Sequence, residues 1–247
     1  VGWRGVFVSG ALLTVVVAAA IVVFTRSTPP GAAPAAPSGP PFAGYRAVFQ
    51  DARFWRIAPL TFFSNGTLLA VQGLWAGPYL YDLYGVDQAA AGRLLLLLSL
   101  GVTFGFGASG WLAARLGLAR VVAAGVAAFS LCQGVLALGP GLSAVAVTVF
   151  LFGLSGGLTI MLLVQPRQLV PAELMGRATT ATNLFSISGI FLLQWLMGLI
   201  IGRFAPDGAG HYPLAAYRLA LSLTAAGNLL ALAWYWPLVR PSRRAAP

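Results

Sequence analysis

The sequence contains no lysine, a single histidine, a single cysteine and only five acidic residues. Each shortage removes a class of chemistry. Without lysine there is no amine for a Schiff base, which excludes a retinal-binding seven-span protein. A lone cysteine, Cys132, rules out an intrachain disulfide and reads as a small buried side chain. One histidine and no cysteine cluster leave nothing with metal-ligand spacing, so no metal or other cofactor is expected. Asp, Glu, Arg and His are also missing from the middle of every long apolar run. A proton-coupled pathway generally needs a titratable group there, so any coupling group is expected on a partner half or coupling takes another form.

Apolar sequence is abundant: 59% of the residues are hydrophobic and 8% charged. A soluble domain of this length could not cover so much apolar surface, and runs of about 20 apolar residues match the 30 Å of hydrocarbon a helix must cross. The class is therefore an all-α membrane protein. The net charge of +10 comes from fifteen arginines. They sit in loops between spans, where topology accounts for them, and nucleic acid is not an expected partner. The partners expected are the lipid bilayer and a small-molecule solute.

Seven spans are predicted. Gly5 to Phe24 is the first, within a segment 1–27. A Pro/Ala-rich linker and an amphipathic helix follow over 28–54, with Tyr45, Phe49 and Trp55 on one helical face. That helix either rests in the headgroup layer or packs on the ends of the spans. Six spans are predicted within 55–240: 57–81, 94–113, 121–138, 144–164, 184–202 and 219–239. The loops between them are set at 82–92, 114–120, 165–183 and 203–218, with a break at Gly139, Pro140 and Gly141. A short tail, 241–247, ends the chain. With the stretch from Gln165 to Asn183 on the cytoplasmic side, eleven arginines lie inside and four outside. That bias places the carboxyl terminus in the cytoplasm of a plasma membrane. The last six spans then form two triplets of opposite topology, the arrangement of many secondary transporters. The chain begins at Val1 with little ahead of its first apolar run, which reads as a fragment or processed product; a cleaved signal peptide is the rival.

Polar side chains inside spans mark candidate solute contacts, because hydrocarbon tolerates them poorly. Asn65 and Gln72 are seven residues apart and share a helical face; Asn183 and Gln194 are eleven apart and nearly do. Trp75 lies toward the outer end of its span and either gates a cavity or anchors the interface. Amides donate and accept, so a cavity lined by them suits a polar or anionic solute; interhelical hydrogen bonding is the structural alternative. Gln133 and Asn228 read as structural. Gly101 and Gly105, Gly153 and Gly157, and Gly198 and Gly202 have the spacing that lets two helices approach closely.

Gly153-Leu154-Ser155-Gly156 resembles the nucleophile segment of rhomboid intramembrane proteases, which would make Ser155 a nucleophile. Such a serine needs a histidine base from another span, and His211 is in a loop. The chain is not expected to be an enzyme. A non-transporting membrane interaction protein is a third reading.

Two loop motifs carry a broader resemblance. Gly110, Leu112, Ala113, Arg115 and Gly117 are similar to the G-x-L-A-D-R-x-G-R-R loop of major facilitator superfamily transporters, with Ala114 in place of the Asp. Pro171, Glu173, Gly176, Arg177 and Ala178 are similar to that family's P-x-E-x-x-G-R-A turn. With Gly2-Trp3-Arg4 before the first run and the Pro-rich linker after it, the chain resembles the carboxyl-terminal half of such a transporter. The preceding span and central linker come before that half. The resemblance implies one six-helix bundle of two inverted three-helix repeats. It also implies conformational roles for both loops, and alternating access against a missing amino-terminal half. Gln72 to Pro78 and His211-Tyr212-Pro213 further resemble bacterial members labelled nitrate/nitrite-transporter-like.

Overall fold

A computed structural model describes residues 3–25 and 43–239. The expected Pro/Ala-rich linker up to residue 42 and the tail from residue 240 lie outside the described residues. The chain divides into two units, Val1–Pro40 and Pro41–Pro247. In the first, α1 (Trp3–Phe24) is a single apolar helix. Its hydroxyls stay inside its own backbone, Ser9 donating to the Gly5 carbonyl and Thr14 to that of Gly10, each at 2.8 Å. This leaves neither group to be satisfied by lipid.

The second unit starts with α2 (Ala43–Gln50), the expected amphipathic helix, shorter than anticipated. It packs on the bundle: Val48 is buried in a cluster with Phe54, Ala58, Ala178 and Ala181. Next comes one helical stretch in three parts: α3 (Phe54–Ala70), a π-helical turn (Val71–Trp75) and α4 (Ala76–Tyr84). It stops where Gly85 takes φ 58°, a left-handed conformation that costs glycine little. The Asp87 carboxylate then accepts from the Ala90 N–H at 2.7 Å and starts α5 (Gln88–Leu116). The predicted loop 82–92 is thus only 85–87. Likewise the turn predicted over 114–120 shrinks to Gly117, whose φ of 88° joins α5 to α6 (Leu118–Ala137).

The predicted break at residues 139–141 precedes α7 (Leu142–Leu158). A short α8 (Met161–Val164) and two 3-10 turns, Gln165–Gln168 and Ala172–Leu174, lead into α9 (Met175–Ile201). The polar stretch 165–183 was expected to be a turn throughout, yet its last nine residues are helix. Thr179, Thr180 and Thr182 donate to the carbonyls four residues back, so their polarity does not break the helix. α10 (Leu214–Tyr235) closes the bundle. Among the described residues, six helical stretches are long and apolar enough to cross a membrane: 4–24, 88–116, 118–137, 142–168, 172–201 and 214–238. The three-part stretch 54–84 is a further long helical run, broken in register by its π turn. Every described element is helical.

The dominant pairings are α5 with α7, α3 with α9, and α6 with α10; α6 on α7 and α3 on α10 come next. Glycine sets the first two. A methyl on Gly101 or Gly105 would strike the Phe150 or Leu154 carbonyl, and one on Gly153 the Leu98 carbonyl. One on Gly157 would come within 2.6 Å of the Val102 oxygen. These four residues let α5 and α7 touch backbone to backbone. Gly66 and Gly189 do the same for α3 and α9, a pair the spacing did not reveal. Gly198 and Gly202 correct the prediction: Gly198 faces the Trp75 ring, and near Gly202 lies only the Gly198 carbonyl of its own helix.

Buried polar residues bind the remaining helices. Asn228 accepts from Ser64 at 2.8 Å and donates to the Thr224 carbonyl at 3.1 Å. Gln133 accepts from Thr224 at 2.9 Å. Both residues are structural, as the sequence suggested.

Candidate functional site

A cleft of about 470 Å³ opens on the second unit between α3, the π turn, α5, the α7–α8 junction and α9. Its polar lining is Asn65, Gln72, Asn183 and Ser186. The rest is apolar, including Leu68, Phe106, Ile160 and Ile190. Three of the five candidate contacts therefore meet in one place. Among the described residues, no charged side chain lines this cleft.

Local structure explains how they converge. Asn65 lies beside Gly66, where α3 and α9 are closest, so it is drawn to the floor of the cleft and is only 6% exposed. The hydroxyl oxygen of Thr159 approaches its side-chain amide at 3.2 Å. Gln72, on the π turn, donates to Ser99 of α5 at 3.2 Å. Asn183 and Ser186 are one helical turn apart on α9, so they share a face. Ser186, which is not one of the five candidate contacts, stands beside Asn183 on the same wall.

Trp75 and Gln194 meet each other elsewhere. The Trp75 indole N–H donates to the backbone carbonyl of Gln194 at 3.1 Å. An α-helix would have kept Trp75, three residues on from Gln72, near the cleft face. The π turn inserts an extra residue and rotates the chain beyond it, turning the indole toward α9.

The loop motifs occupy opposite roles. Arg115 stacks over the Trp111 ring at 4.3 Å, Gly117 supplies the one-residue connection, and Gly110 has open space around it. Pro171 opens the 3-10 turn that carries Glu173; Glu173 and Gly176 are exposed. The Arg177 side chain lies across Gly44, where a larger residue would collide with it, so this arginine docks α2.

A second polar cluster lies at the α4 end of the bundle, and the sequence did not signal it. The Asp82 carboxylate accepts from the Tyr212 N–H at 3.2 Å and the Tyr217 hydroxyl at 2.5 Å, and pairs with the His211 ring at 3.1 Å. Nearby, the Asp207 carboxyl accepts from the backbone N–H groups of His211 and Ala209, which hold it below the usual aspartate range. His211 is thus engaged in a loop. Ser155 is 5% exposed, and its hydroxyl donates to the Leu151 carbonyl at 2.6 Å. Its engagement there removes the basis for the protease reading.

A family model described as Major Facilitator Superfamily matches residues 1–194. A protein of Sinorhizobium fredii (strain NBRC 101917 / NGR234), described as "Uncharacterized transporter y4wD", is 30% identical over 184 residues. The match covers 71% of this chain and 44% of that protein, so the chain spans under half the length of this relative.

Proposed function

We propose, from the premise that this chain belongs to the Major Facilitator Superfamily, that it forms one wall of the pathway of a secondary transporter, with the cleft at Asn65 as its solute site. The family makes the chain a transporter rather than an enzyme. The observation that carries the site is the convergence of Asn65, Gln72, Asn183 and Ser186 from two helices onto one open cleft.

The helix pairings support two inverted triplets. Exchanging the stretches 54–84, α5 and α6 with α7, α9 and α10 turns the α5–α7 contact into α9–α3 and α6–α7 into α10–α3. It leaves α6–α10 unchanged. A pattern that maps onto itself this way is what a pseudo-twofold repeat produces. On this reading 54–84 is the seventh span, the Glu173 bend and carboxyl terminus face the cytoplasm of a bacterial plasma membrane, and solute crosses by rocking against an amino-terminal half. The loops at Arg115 and Glu173 would then move with the rocking.

Two measurements test it. In the complete transporter, Asn65→Ala with Gln72→Ala lowers solute uptake into proteoliposomes without lowering membrane abundance; unchanged uptake removes both from the pathway. Glu173→Cys in a Cys132→Ser background is labelled by an impermeant maleimide only from the cytoplasmic face. Labelling from outside reverses the orientation.

A further inference from the structure

The two helices that frame the cleft run side by side in a fixed register. Phe54 and Ala58 share a cluster with Ala178 and Ala181, Gly66 lies against Gly189, and Trp75 reaches the Gln194 carbonyl. Helices α3 and α9 are therefore parallel, at a nearly constant offset. On that register the polar lining forms a ladder. Asn183 and Ser186 stand on the Glu173 side of Asn65, with Ser186 about one turn away. Gln72 stands two turns off on the other side, about 10 Å along the helix.

Each rung has its own hydrogen-bonding sense. Asn65 turns its oxygen to the Thr159 hydroxyl at 3.2 Å, a group it shares with the Gly156 carbonyl. Its amide nitrogen has no partner among the described residues, whereas every side-chain nitrogen or oxygen that is buried there has one. That nitrogen therefore reaches open space, and the space Asn65 lines is the cleft. Ser186, only 4% exposed, behaves in the same way. Thr179, Thr180 and Thr182 close onto the carbonyls four residues back, but the Ser186 hydroxyl has no partner among the described residues and so opens on the cleft. Gln72 is the opposite case. Its nitrogen donates to Ser99, whose own proton goes to the Leu95 carbonyl at 2.9 Å, and the Gln72 oxygen is left to accept.

A donor thus sits mid-ladder at Asn65, an adaptable hydroxyl one turn from it, and an acceptor at Gln72. Around them lie Leu68, Phe106 and Ile190. No charged side chain among the described residues is there to pair with an ion, and an unpaired ion in apolar surroundings is costly. An anion would also meet the Gln72 oxygen, and a cation the Asn65 N–H groups. We infer that the cleft takes an uncharged, elongated solute with an acceptor at its Asn65 end, a donor at its Gln72 end and an apolar body between. The inference rests on the reading of the cleft as the solute site. It sets aside the anionic option left open by the sequence.

The test is calorimetric titration of the complete transporter in lipid nanodiscs with para-hydroxyphenylacetamide, para-hydroxyphenylacetate and tyramine. The three share a ring, a phenol and a length, and their other end is neutral, anionic or cationic. The amide should bind about tenfold more tightly than either ion, the scale of one hydrogen bond kept against one mismatched. In Asn65→Leu that ratio should fall several-fold, whereas a loss of fold would weaken all three probes alike. The methyl ether, para-methoxyphenylacetamide, lacks the phenol proton; it should bind more weakly than the phenol to the native protein and equally well to Gln72→Leu. Asn65→Asp, of the same shape, puts a charge in place of the donors and should move the preference to tyramine. Tightest binding of either ion, lost in Asn65→Leu, would keep the site and overturn its solute class. A preference for the amide that neither Asn65→Leu nor Gln72→Leu weakens would overturn the cleft as the solute site. Binding of none of the three to the folded native transporter would overturn the class.

Discussion

Gly153→Ala should loosen the α5–α7 crossing, and the structure sets both sign and size. The new methyl meets the Leu98 carbonyl and comes within 3.0 Å of the Val102 nitrogen. Both are backbone atoms of α5, so no rotamer change relieves the contact; the helices must separate. Forcing a methylene into a packed interface costs about 1–3 kcal/mol. Alanine also favours helix over glycine by up to about 1 kcal/mol, which acts in the opposite direction. Gly107→Ala on α5 provides the control, since a methyl there meets nothing within 4 Å. It carries the same propensity gain without the collision. The difference between the two variants therefore isolates the steric term: Gly153→Ala should be less stable than Gly107→Ala by about 1–3 kcal/mol. Reversible unfolding in mixed micelles, followed by circular dichroism against denaturant, measures it. Equal stability of the two variants would show that the helices do not touch at Gly153.

Three further outcomes follow from the polar contacts. Asp82→Asn keeps the shape but removes the charge that holds Tyr212, Tyr217 and His211; a loss of about 1–3 kcal/mol is expected, with faster hydrogen exchange at the Tyr212 amide. Unchanged exchange would mean the carboxylate does not tether the loop. Asn228→Ala strips the buried partner of Ser64 and should cost about 0.6–1.7 kcal/mol, the range found for hydrogen bonds between membrane helices, read in the same unfolding assay. Asp207 has a folded pKa below its unfolded 3.8, so its contribution is full above that value and is lost as pH falls through the lower folded one. Amide exchange at Ala209 and His211 should show excess acceleration over that acidic window, and Asp207→Asn should abolish the dependence.

Much of the fold was legible because hydrocarbon punishes error. Long apolar runs had to be helices, and the glycine break at residues 139–141 and the glycines at 101, 105, 153 and 157 fell where predicted. Boundaries were less legible because polar residues extend a helix into the headgroups at no cost, as 88–93 and 175–183 do. The loops consequently shrank to 85–87 and to Gly117 alone. Gly66 and Gly189 escaped notice because they pair across helices rather than along one, and spacing within a sequence reports only the latter. The site was half visible for a related reason. Asn65 and Gln72 follow from helical phase, whereas Asn183 lines the cleft without Gln194, the partner that phase gave it, and Trp75 closes a π turn that no residue pattern announces.

The length of α5 has one more outcome. Its 29 residues make a rod of about 43 Å, well over the roughly 30 Å of hydrocarbon it must cross. Arg93 and Arg115 stand 22 residues apart on that rod, about 33 Å. One guanidinium therefore reaches phosphate at each leaflet when the helix stands nearly upright, and sinking it either way drags a fixed charge into oil. The cleft wall that α5 supplies is thereby moored at both water lines and resists sliding along its own length.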